Sequence, residues 1–219
     1  MRNTFSIIIL LSLFNNLFAQ DKRTFRGSIR FSCTIPNPTS NLAFKKSFVG
    51  IYEVNVSFNY NFFKGIGIGA TYKNGLFSLP ISKGNLSGPD TKAEVNYVGG
   101  KLNYDIFLSD ITMFSASINV GKNFTKYTSV VCLNPMEGQH KFSSTYIEPE
   151  LNMYFFIQEN LAIGVNVSEV IVAKSFDPYS ICLNETLNLP YISNEISGLT
   201  SYLNFGFSVY VGLFRKKEE

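Results

Sequence analysis

The only histidine of the chain, His140, is followed closely by two serines, Ser143 and Ser144. Acyl transfer uses a serine activated by a histidine, which a third group holds in place. His140 and Ser144 could share one face of a strand, because alternate residues of a strand point to the same side. This pair is a weak signal for a hydrolase or transferase acting on lipid. We predict instead that His140 is a solvent-exposed residue of a loop and that the protein has no catalytic residues.

Other chemical motifs are absent from the sequence. No spacing of His, Cys, Asp or Glu matches a metal site, and no carboxylate pair suggests acid–base catalysis. The glycines of Gly65–Gly69 are spaced as in a strand and do not open a helix, so they form no nucleotide site. We therefore expect no metal, no cofactor-binding residues and no cofactor.

The composition excludes several broad classes of protein. The chain has 219 residues, of which 45% are hydrophobic, 15% aromatic and 16% charged, with a formal net charge of +3. Soluble domains average about 25% charged residues, so this chain is poor in charge. Its hydrophobicity excludes a disordered protein, and its small net charge argues against a nucleic-acid partner.

The first residues match a secretory signal peptide. Arg2 gives a short basic start, and the apolar run Phe5–Phe14 follows. About ten apolar residues suit a signal-peptide core, whereas a membrane-spanning helix needs roughly 20. Ala19 is a small residue at the expected cleavage point. We predict that residues 1–19 are removed and that residues 20–219 form a single domain, the alternatives being an N-terminal anchor or a buried strand.

The rest of the chain alternates apolar and polar residues with period 2, which predicts β-strands. In the last segment, for example, Leu203 and Phe205 share one face and Asn204 lies on the other. A change of phase at Gly99-Gly100 predicts a bulge in the fourth segment. The eight predicted strands are Thr24–Cys33, Ile51–Phe62, Gly65–Phe77, Lys92–Phe107, Ile111–Tyr127, Phe142–Ile157, Leu161–Ala173 and Thr200–Phe214.

The connections between these segments alternate between short and long. The short ones are Phe63-Lys64, Leu108–Asp110 and Gln158–Asn160, and the long ones are Thr34–Gly50, Pro80–Thr91, Val131–Lys141 and Phe176–Leu199. Three short turns and both termini then lie at one end, and four long loops lie at the other. This order predicts an all-β fold, an eight-stranded antiparallel up-and-down β-barrel.

The two faces of the segments predict a transmembrane barrel with a polar interior. The polar face is rich in Gly, Ser, Asn and Thr, and the other is broadly apolar; a membrane barrel turns its apolar face to lipid. The alternative is a soluble, secreted, lipocalin-like carrier with the opposite orientation. Aromatic girdles are expected at Tyr52, Tyr60, Phe62, Tyr72, Tyr97, Tyr104, Phe124 and Phe155. Predicted lipid-facing residues are Val54, Val56, Phe58, Leu203, Phe205, Phe207, Val209, Val211 and Leu213.

Charged residues on the polar face predict an ion-pair network in the interior. An eight-stranded barrel is just wide enough for its own side chains, so a wide diffusion pore is not expected. Unpaired charges there would be costly, so they should pair with one another; the alternative is a gated ion path. The predicted network is Arg26, Arg30, Glu53, Lys73, Lys101, Asp105, Glu148 and Glu150.

Three cysteines, Cys33, Cys132 and Cys182, lie at or near the loop end. Cys132 and Cys182 fall in the third and fourth long loops, which flank adjacent strands, so we predict a disulfide between them. Barrel closure places the last strand beside the first, so Cys33–Cys182 is nearly as favourable, and three free thiols are the remaining alternative.

The signal peptide, the hairpins with short turns and long loops, and the ending Val209–Phe214 together resemble a known family. It is the porin-like group of small Gram-negative outer-membrane β-barrels that includes OmpA/OmpX-like and PorT-like proteins. The resemblance implies a location in the cell outer membrane, short turns in the periplasm and loops facing outward. It also implies contact with outer-membrane lipid and with the barrel assembly machinery during biogenesis.

The expected function is a structural or loop-mediated interaction role in the cell envelope, because recognition sits on long loops carried by a rigid scaffold. The loops carry no recognisable partner motif, so the extracellular or envelope partner stays unknown. An accessory role in a secretion system and a lipid-modifying enzyme are the alternatives. We expect the barrel to be a monomer.

Overall fold

The computed structural model describes residues 25–79, 91–129, 139–183 and 193–215. The predicted signal peptide, residues 1–19, lies outside this part of the chain. No helix of the described residues is long and apolar enough to cross a membrane. The strands are β1 (Phe25–Pro38), β2 (Val49–Phe63), β3 (Ile66–Ser78), β4 (Lys92–Ser109), β5 (Thr112–Thr128), β6 (Gln139–Phe156), β7 (Leu161–Val172) and β8 (Thr200–Arg215).

The eight strands close into one barrel in which each strand pairs with its neighbours in the chain. All pairs are antiparallel, and β1 pairs with both β2 and β8. Closure leaves no free sheet edge along the paired length, so the backbone groups of the strands are hydrogen-bonded within the barrel. The predicted fold class is therefore confirmed.

The turn between β2 and β3 shows how the short connections are made. Phe63 pairs with Ile66, so the turn consists of Lys64 and Gly65 alone. Both have positive φ, 37° and 85°, which is the pattern of the tight hairpin turn that suits the twist of the flanking strands. Glycine takes up such a conformation without a steric penalty.

Strand β1 continues five residues beyond its predicted end, through Pro38. This segment was predicted as the start of the long loop Thr34–Gly50, and it contains two prolines, Pro36 and Pro38. Beyond Thr34, however, β1 is paired only with β8, and a strand with one partner tolerates a residue that has no N–H. The backbone of β2 begins so close by that a Cβ at Gly50 would lie 1.8 Å from the Pro36 carbonyl oxygen.

The predicted bulge in β4 is wrong. The register of β4 with both neighbours runs unbroken through Gly99 and Gly100. Alternate residues of β4 point inward along the whole strand, and the inward side chains change from polar to apolar toward the loop end. Tyr97, expected in the lipid-facing girdle, is therefore an interior residue with 1% exposure, and the adjacent Val98 points outward with 53% exposure.

The outer face of the barrel is apolar over most of its height. Phe207, near the middle of β8, is 73% exposed. Among the residues expected on this face, Val211 and Leu213 are half-buried and the others are exposed. Buried positions between them carry polar side chains such as Asn204 and Ser208. The structure thus has an apolar exterior around a polar centre, the reverse of a soluble globular domain.

Candidate functional site: the barrel interior

The interior of the barrel consists of three layers. A central layer holds charged and amide side chains, and an apolar cluster fills the barrel on either side of it. We call these the central network, the turn-side plug and the mouth plug. Each layer draws residues from strands that are far apart in sequence, so the site exists only in the closed barrel.

Arg30 of β1 and Asp105 of β4 form the ion pair nearest the turn side. Arg30 Nη2 donates to both carboxylate oxygens of Asp105, at 2.8 and 2.7 Å. Arg30 Nη1 donates to Ser115 Oγ at 2.6 Å. The guanidinium also lies over the rings of Tyr210 and Tyr154, 5.4 and 5.9 Å from their centroids. The carboxylate of Asp105 and the faces of the two tyrosine rings together take the place of water around the buried guanidinium.

Lys73 of β3 lies between two carboxylates, Glu53 of β2 and Glu148 of β6. Lys73 Nζ donates to Glu53 Oε1 at 3.0 Å and also to Glu148 Oε1. Glu53 accepts further hydrogen bonds from Asn204 Nδ2 at 2.8 Å and from the Tyr202 hydroxyl at 2.6 Å. Because all three charged groups are buried, each depends on these partners in place of water.

Lys101 of β4 pairs with Glu150 of β6, with Nζ donating to Oε2 at 2.8 Å. Asn119 connects this pair to the previous one, because its amide group donates to Glu148 and to Glu150, at 2.9 Å in each case. Asn166 donates to the second oxygen of Glu150 at 3.0 Å. The network therefore reaches across the barrel without a break from β2 to β7.

Seven of the eight residues predicted for the interior network are buried and paired in the central network. Arg26, the eighth, was expected there and is exposed instead. The neighbouring Phe25 takes the interior place, where its ring contacts Phe156 and Tyr210. A Cβ at Gly212 would lie 2.6 Å from the Phe25 ring, so this glycine makes room for the ring.

The turn-side plug closes the barrel below the central network. Its aromatic rings stack at short distance, for example Phe25 on Phe156 at 6.2 Å and Phe107 on Phe156 at 5.7 Å between centroids. The cluster consists of Phe25, Met113, Tyr154, Phe156, Ala162 and Tyr210, with Phe107 partly buried against it. An apolar layer of this kind leaves no polar path from the turn side to the charges.

The mouth plug is formed by two loops that fold into the opposite end. Helix α1 (Leu42–Ser47), in the loop between β1 and β2, places Phe44 in the barrel mouth. The loop between β7 and β8 places Phe176 beside it, with the two ring centroids 5.6 Å apart. Both rings contact the strand wall, Phe44 at Phe77 and Phe176 at Tyr127. The loop end is therefore filled with aromatic side chains.

Asn41 joins the two loops of the mouth plug. It is the N-cap residue of α1, and its side-chain oxygen accepts a hydrogen bond from Phe44 N at 2.9 Å. Its amide nitrogen donates to the carbonyl oxygens of Ile196 and Gly198, at 3.1 and 2.9 Å. Asn41 itself has a φ of 53°. One side chain thus caps the helix and holds the second loop over it.

His140 and the serines do not form a catalytic pair. His140 lies in β6 rather than in a loop, and its ring is 6.1 Å from that of Phe142. Ser144 is on the same face of the strand but four residues away, about 13 Å at roughly 3.3 Å per residue. A hydrogen bond between them is excluded by this distance. Among the described residues no three His, Cys, Asp or Glu side chains are grouped to hold a metal ion.

Cys182 is disulfide-bonded and Cys33 is a free, exposed cysteine of β1. The alternative pairing of these two residues is therefore excluded. Cys132, the other half of the predicted pair, lies outside the described residues, and its pairing with Cys182 stays a prediction.

The two plugs were not predicted from the sequence. Their inward residues are apolar, and an apolar residue inside a membrane barrel has the same type as one that faces lipid. Tyr97, Tyr154, Tyr202 and Tyr210 are all buried. Parity within each strand already put Tyr154, Tyr202 and Tyr210 on the polar face, and the same parity could have identified Tyr97, which is four residues from the buried Lys101 of its own strand.

Comparison with solved structures shows that this is the fold of the small outer-membrane β-barrels. Neisserial surface protein A aligns with a TM-score of 0.55 and 8% identity, over 88% of this chain and 100% of that one. The attachment invasion locus protein Ail of Yersinia pestis aligns with a TM-score of 0.46 and 11% identity, over 84% of this chain and 96% of that one. The N-terminal β-barrel domain of Pseudomonas aeruginosa OprF aligns with a TM-score of 0.46 and 6% identity, over 86% of this chain and 99% of that one. At these identities the likeness concerns the fold alone.

No protein-family model and no curated protein sequence matches the chain.

Proposed function

We propose that this protein is a closed outer-membrane barrel that presents its loops to partners and does not conduct solutes. The observation that carries the proposal is the combination of an apolar outer face with a charged, ion-paired centre. Apolar residues such as Phe205 and Phe207 are exposed on the outside, where water would disfavour them and lipid would not. Gram-negative outer membranes are where closed barrels with this distribution occur.

The plugs support a role without conduction. A solute crossing the barrel would have to displace Phe44 and Phe176 at the mouth, then the salt bridges of Lys73 and Lys101, then Phe25 and Phe156. An eight-stranded barrel has no spare width beside these groups. The interior is therefore a structural core, and recognition falls to the loop end and to the outer surface.

Expression with the native signal, followed by membrane fractionation, tests the proposal. We expect the protein in the outer-membrane fraction, with an electrophoretic mobility that changes on boiling because a folded barrel resists detergent until it is heated. Purified protein in planar bilayers should give no steady conductance. Recovery as a soluble periplasmic protein would show a carrier barrel instead, and regular channel steps would contradict the plugged interior.

A further inference from the structure

Glu169 of β7 is a carboxylate on the outer wall of the barrel. It alternates with buried residues of its strand and is itself half-buried, so its side chain points outward. The next outward residues below and above it, Val167 and Ile171, are apolar. From Leu161, at the turn end of β7, to Glu169 the rise is about 20 Å, taking roughly 3.3 Å per residue and a tilt of about 40°. The apolar band of a membrane barrel is about 25 Å tall, so this carboxylate lies inside the band.

The outer wall is polar at this point for a second reason. The ladder of β6 with β7 is interrupted here for two residues of each strand, and Pro149, the β6 residue beside Glu169, has no N–H to donate. Ser201 Oγ donates to Glu169 Oε1 at 3.4 Å, and none of the ion pairs between described residues includes Glu169. A carboxylate and unpaired backbone groups are both unfavourable in hydrocarbon. A cationic partner on this wall would therefore stabilise the inserted barrel.

Lys122 of β5 is a cation that a second copy of the chain would offer at nearly the same height. All copies are inserted in the same direction, so an outward group of one copy can meet only those groups of its neighbour that lie at a similar height. Lys122 is exposed and points outward, about 25 Å above Thr112 at the turn end of its strand. Its flexible four-carbon stem covers the difference of about 5 Å. None of the ion pairs between described residues includes Lys122.

Other cations of the described outer surface are less suitable. Lys126 faces Glu94 of β4 across the ladder, and Lys92 pairs with the same carboxylate at 2.8 Å. Lys141 lies about 38 Å above the turn end of β6, beyond the apolar band. Arg26 lies at the other end of the barrel, in the first residues of β1. Height and pairing therefore single out Lys122.

We infer that the β7 wall of one copy packs against the β5 wall of the next in the membrane, with Glu169 paired to Lys122 of the neighbouring copy. The two charges are complementary and matched in height, and the exposed Val167 and Val120 beside them would lie in the same contact. Strands β5 and β7 are two apart in a closed barrel of eight. The contact is therefore head-to-tail, and two faces about a quarter of the circumference apart close into a ring of about four copies. This inference rests on the proposed function, because it requires membrane insertion.

Cysteine cross-linking of the full chain in its own membrane tests the contact. All variants carry Cys33→Ser, because Cys33 is a free, exposed cysteine of the outer wall. The reporter chain carries Val167→Cys and Val120→Cys, each two residues from one of the two charges. The control chain carries Val167→Cys with Val56→Cys, an exposed valine of β2 on another side of the barrel. After mild oxidation, the linked copies are counted on a gel without reductant.

We expect the reporter chain to give linked oligomers larger than a dimer and the control chain to give little product. Glu169→Gln or Lys122→Gln should lower the linked fraction about tenfold or more, and the exchange Glu169→Lys/Lys122→Glu should restore most of it. Equal product from the two chains, or a reporter product that the single charge substitutions do not change, overturns the inference. A linked dimer from Val167→Cys alone would mean a symmetric contact and overturns it too. No product at all would mean a monomer, as expected from the sequence, and has the same consequence.

Membrane fractionation separates this inference from the proposed function. Each variant is first shown to be inserted and heat-modifiable, so that a loss of product is not a loss of folding. If the unaltered protein is inserted and heat-modifiable but the reporter chain gives no charge-dependent product, only the inference fails. If the protein is recovered as a soluble species, the proposed function fails and the inference fails with it.

Discussion

Removing the charge of Lys73 should be among the most destabilising single changes in the barrel. Its ammonium group is buried between Glu53 and Glu148. At 3.0 Å from Glu53 Oε1, the attraction amounts to about 5 kcal/mol if the effective dielectric constant is about 20. In Lys73→Met the stem is replaced by a side chain of similar shape, and two carboxylates face each other without a cation. We expect a loss of about 3–5 kcal/mol in the free energy of unfolding.

A second substitution tests whether charge is the cause. The central network contains three cations, Arg30, Lys73 and Lys101, and four carboxylates, so its net charge is −1. Lys73→Met makes it −2, and the double variant Lys73→Met/Glu148→Gln returns it to −1. The nitrogen of the new amide can donate toward Glu53, and its oxygen can accept from the Ser168 hydroxyl, which in the unaltered protein donates to Glu148 Oε1 at 2.6 Å. We expect the double variant to regain more than half of the lost stability.

The assay is a urea titration of the protein in lipid vesicles, with the heat-modifiable fraction on a gel as the measure of folded barrel. The single variant should have a clearly lower midpoint, and the double variant an intermediate one. A single variant within about 0.5 kcal/mol of the unaltered protein, the range of ordinary surface changes, would refute the reasoning. So would a double variant less stable than the single one.

Three further predictions concern the outer face, the mouth and the cysteines. Phe207→Arg should cost about 2–4 kcal/mol in vesicles, measured by the same titration, whereas Phe207→Leu should cost less than about 1.5 kcal/mol. Asn41→Ala removes a cap and two loop contacts, so limited proteolysis should cleave the first loop faster while the barrel stays heat-modifiable. Alkylation of the unreduced protein should label Cys33 alone, and mass analysis after reduction should reveal two more thiols, Cys132 and Cys182.

Strand alternation predicted the barrel because it is a local property that each segment carries by itself. Leu203 and Asn204 differ in type because one faces outward and the other inward, and a window of ten residues is enough to see it. The seven buried charges followed from the same alternation. The pairing of these charges could not be predicted in the same way, because Lys73 and Glu148 are 75 residues apart and only the register of the closed barrel brings them together.

The errors occurred where the interior stops being polar. At Tyr97 the inward side chain is apolar in character, so alternation by polarity assigned it to lipid and required a bulge at Gly99. At Arg26 the opposite happened, because a charge was assigned inward although Phe25 fills that place. Residue type reports the surroundings of a side chain, and lipid and an aromatic plug are similar surroundings. Only strand geometry, which fixes parity independently of polarity, distinguishes them.

The central network also explains how each strand keeps its register with its neighbours, although lipid on the outside and the plugs on the inside are both apolar. A slip of one residue exchanges the two faces of a strand. Near the plugs this exchange would put one apolar residue in place of another and cost little. In the middle of β3, however, it would move Lys73 from its two carboxylates into lipid, at roughly 2–4 kcal/mol near the bilayer midplane, and would leave Glu53 and Glu148 unpaired. Buried ion pairs contribute little net stability compared with apolar packing, so we infer that the main contribution of the central network is to fix the register of the strands, which the apolar ends of the barrel do not fix.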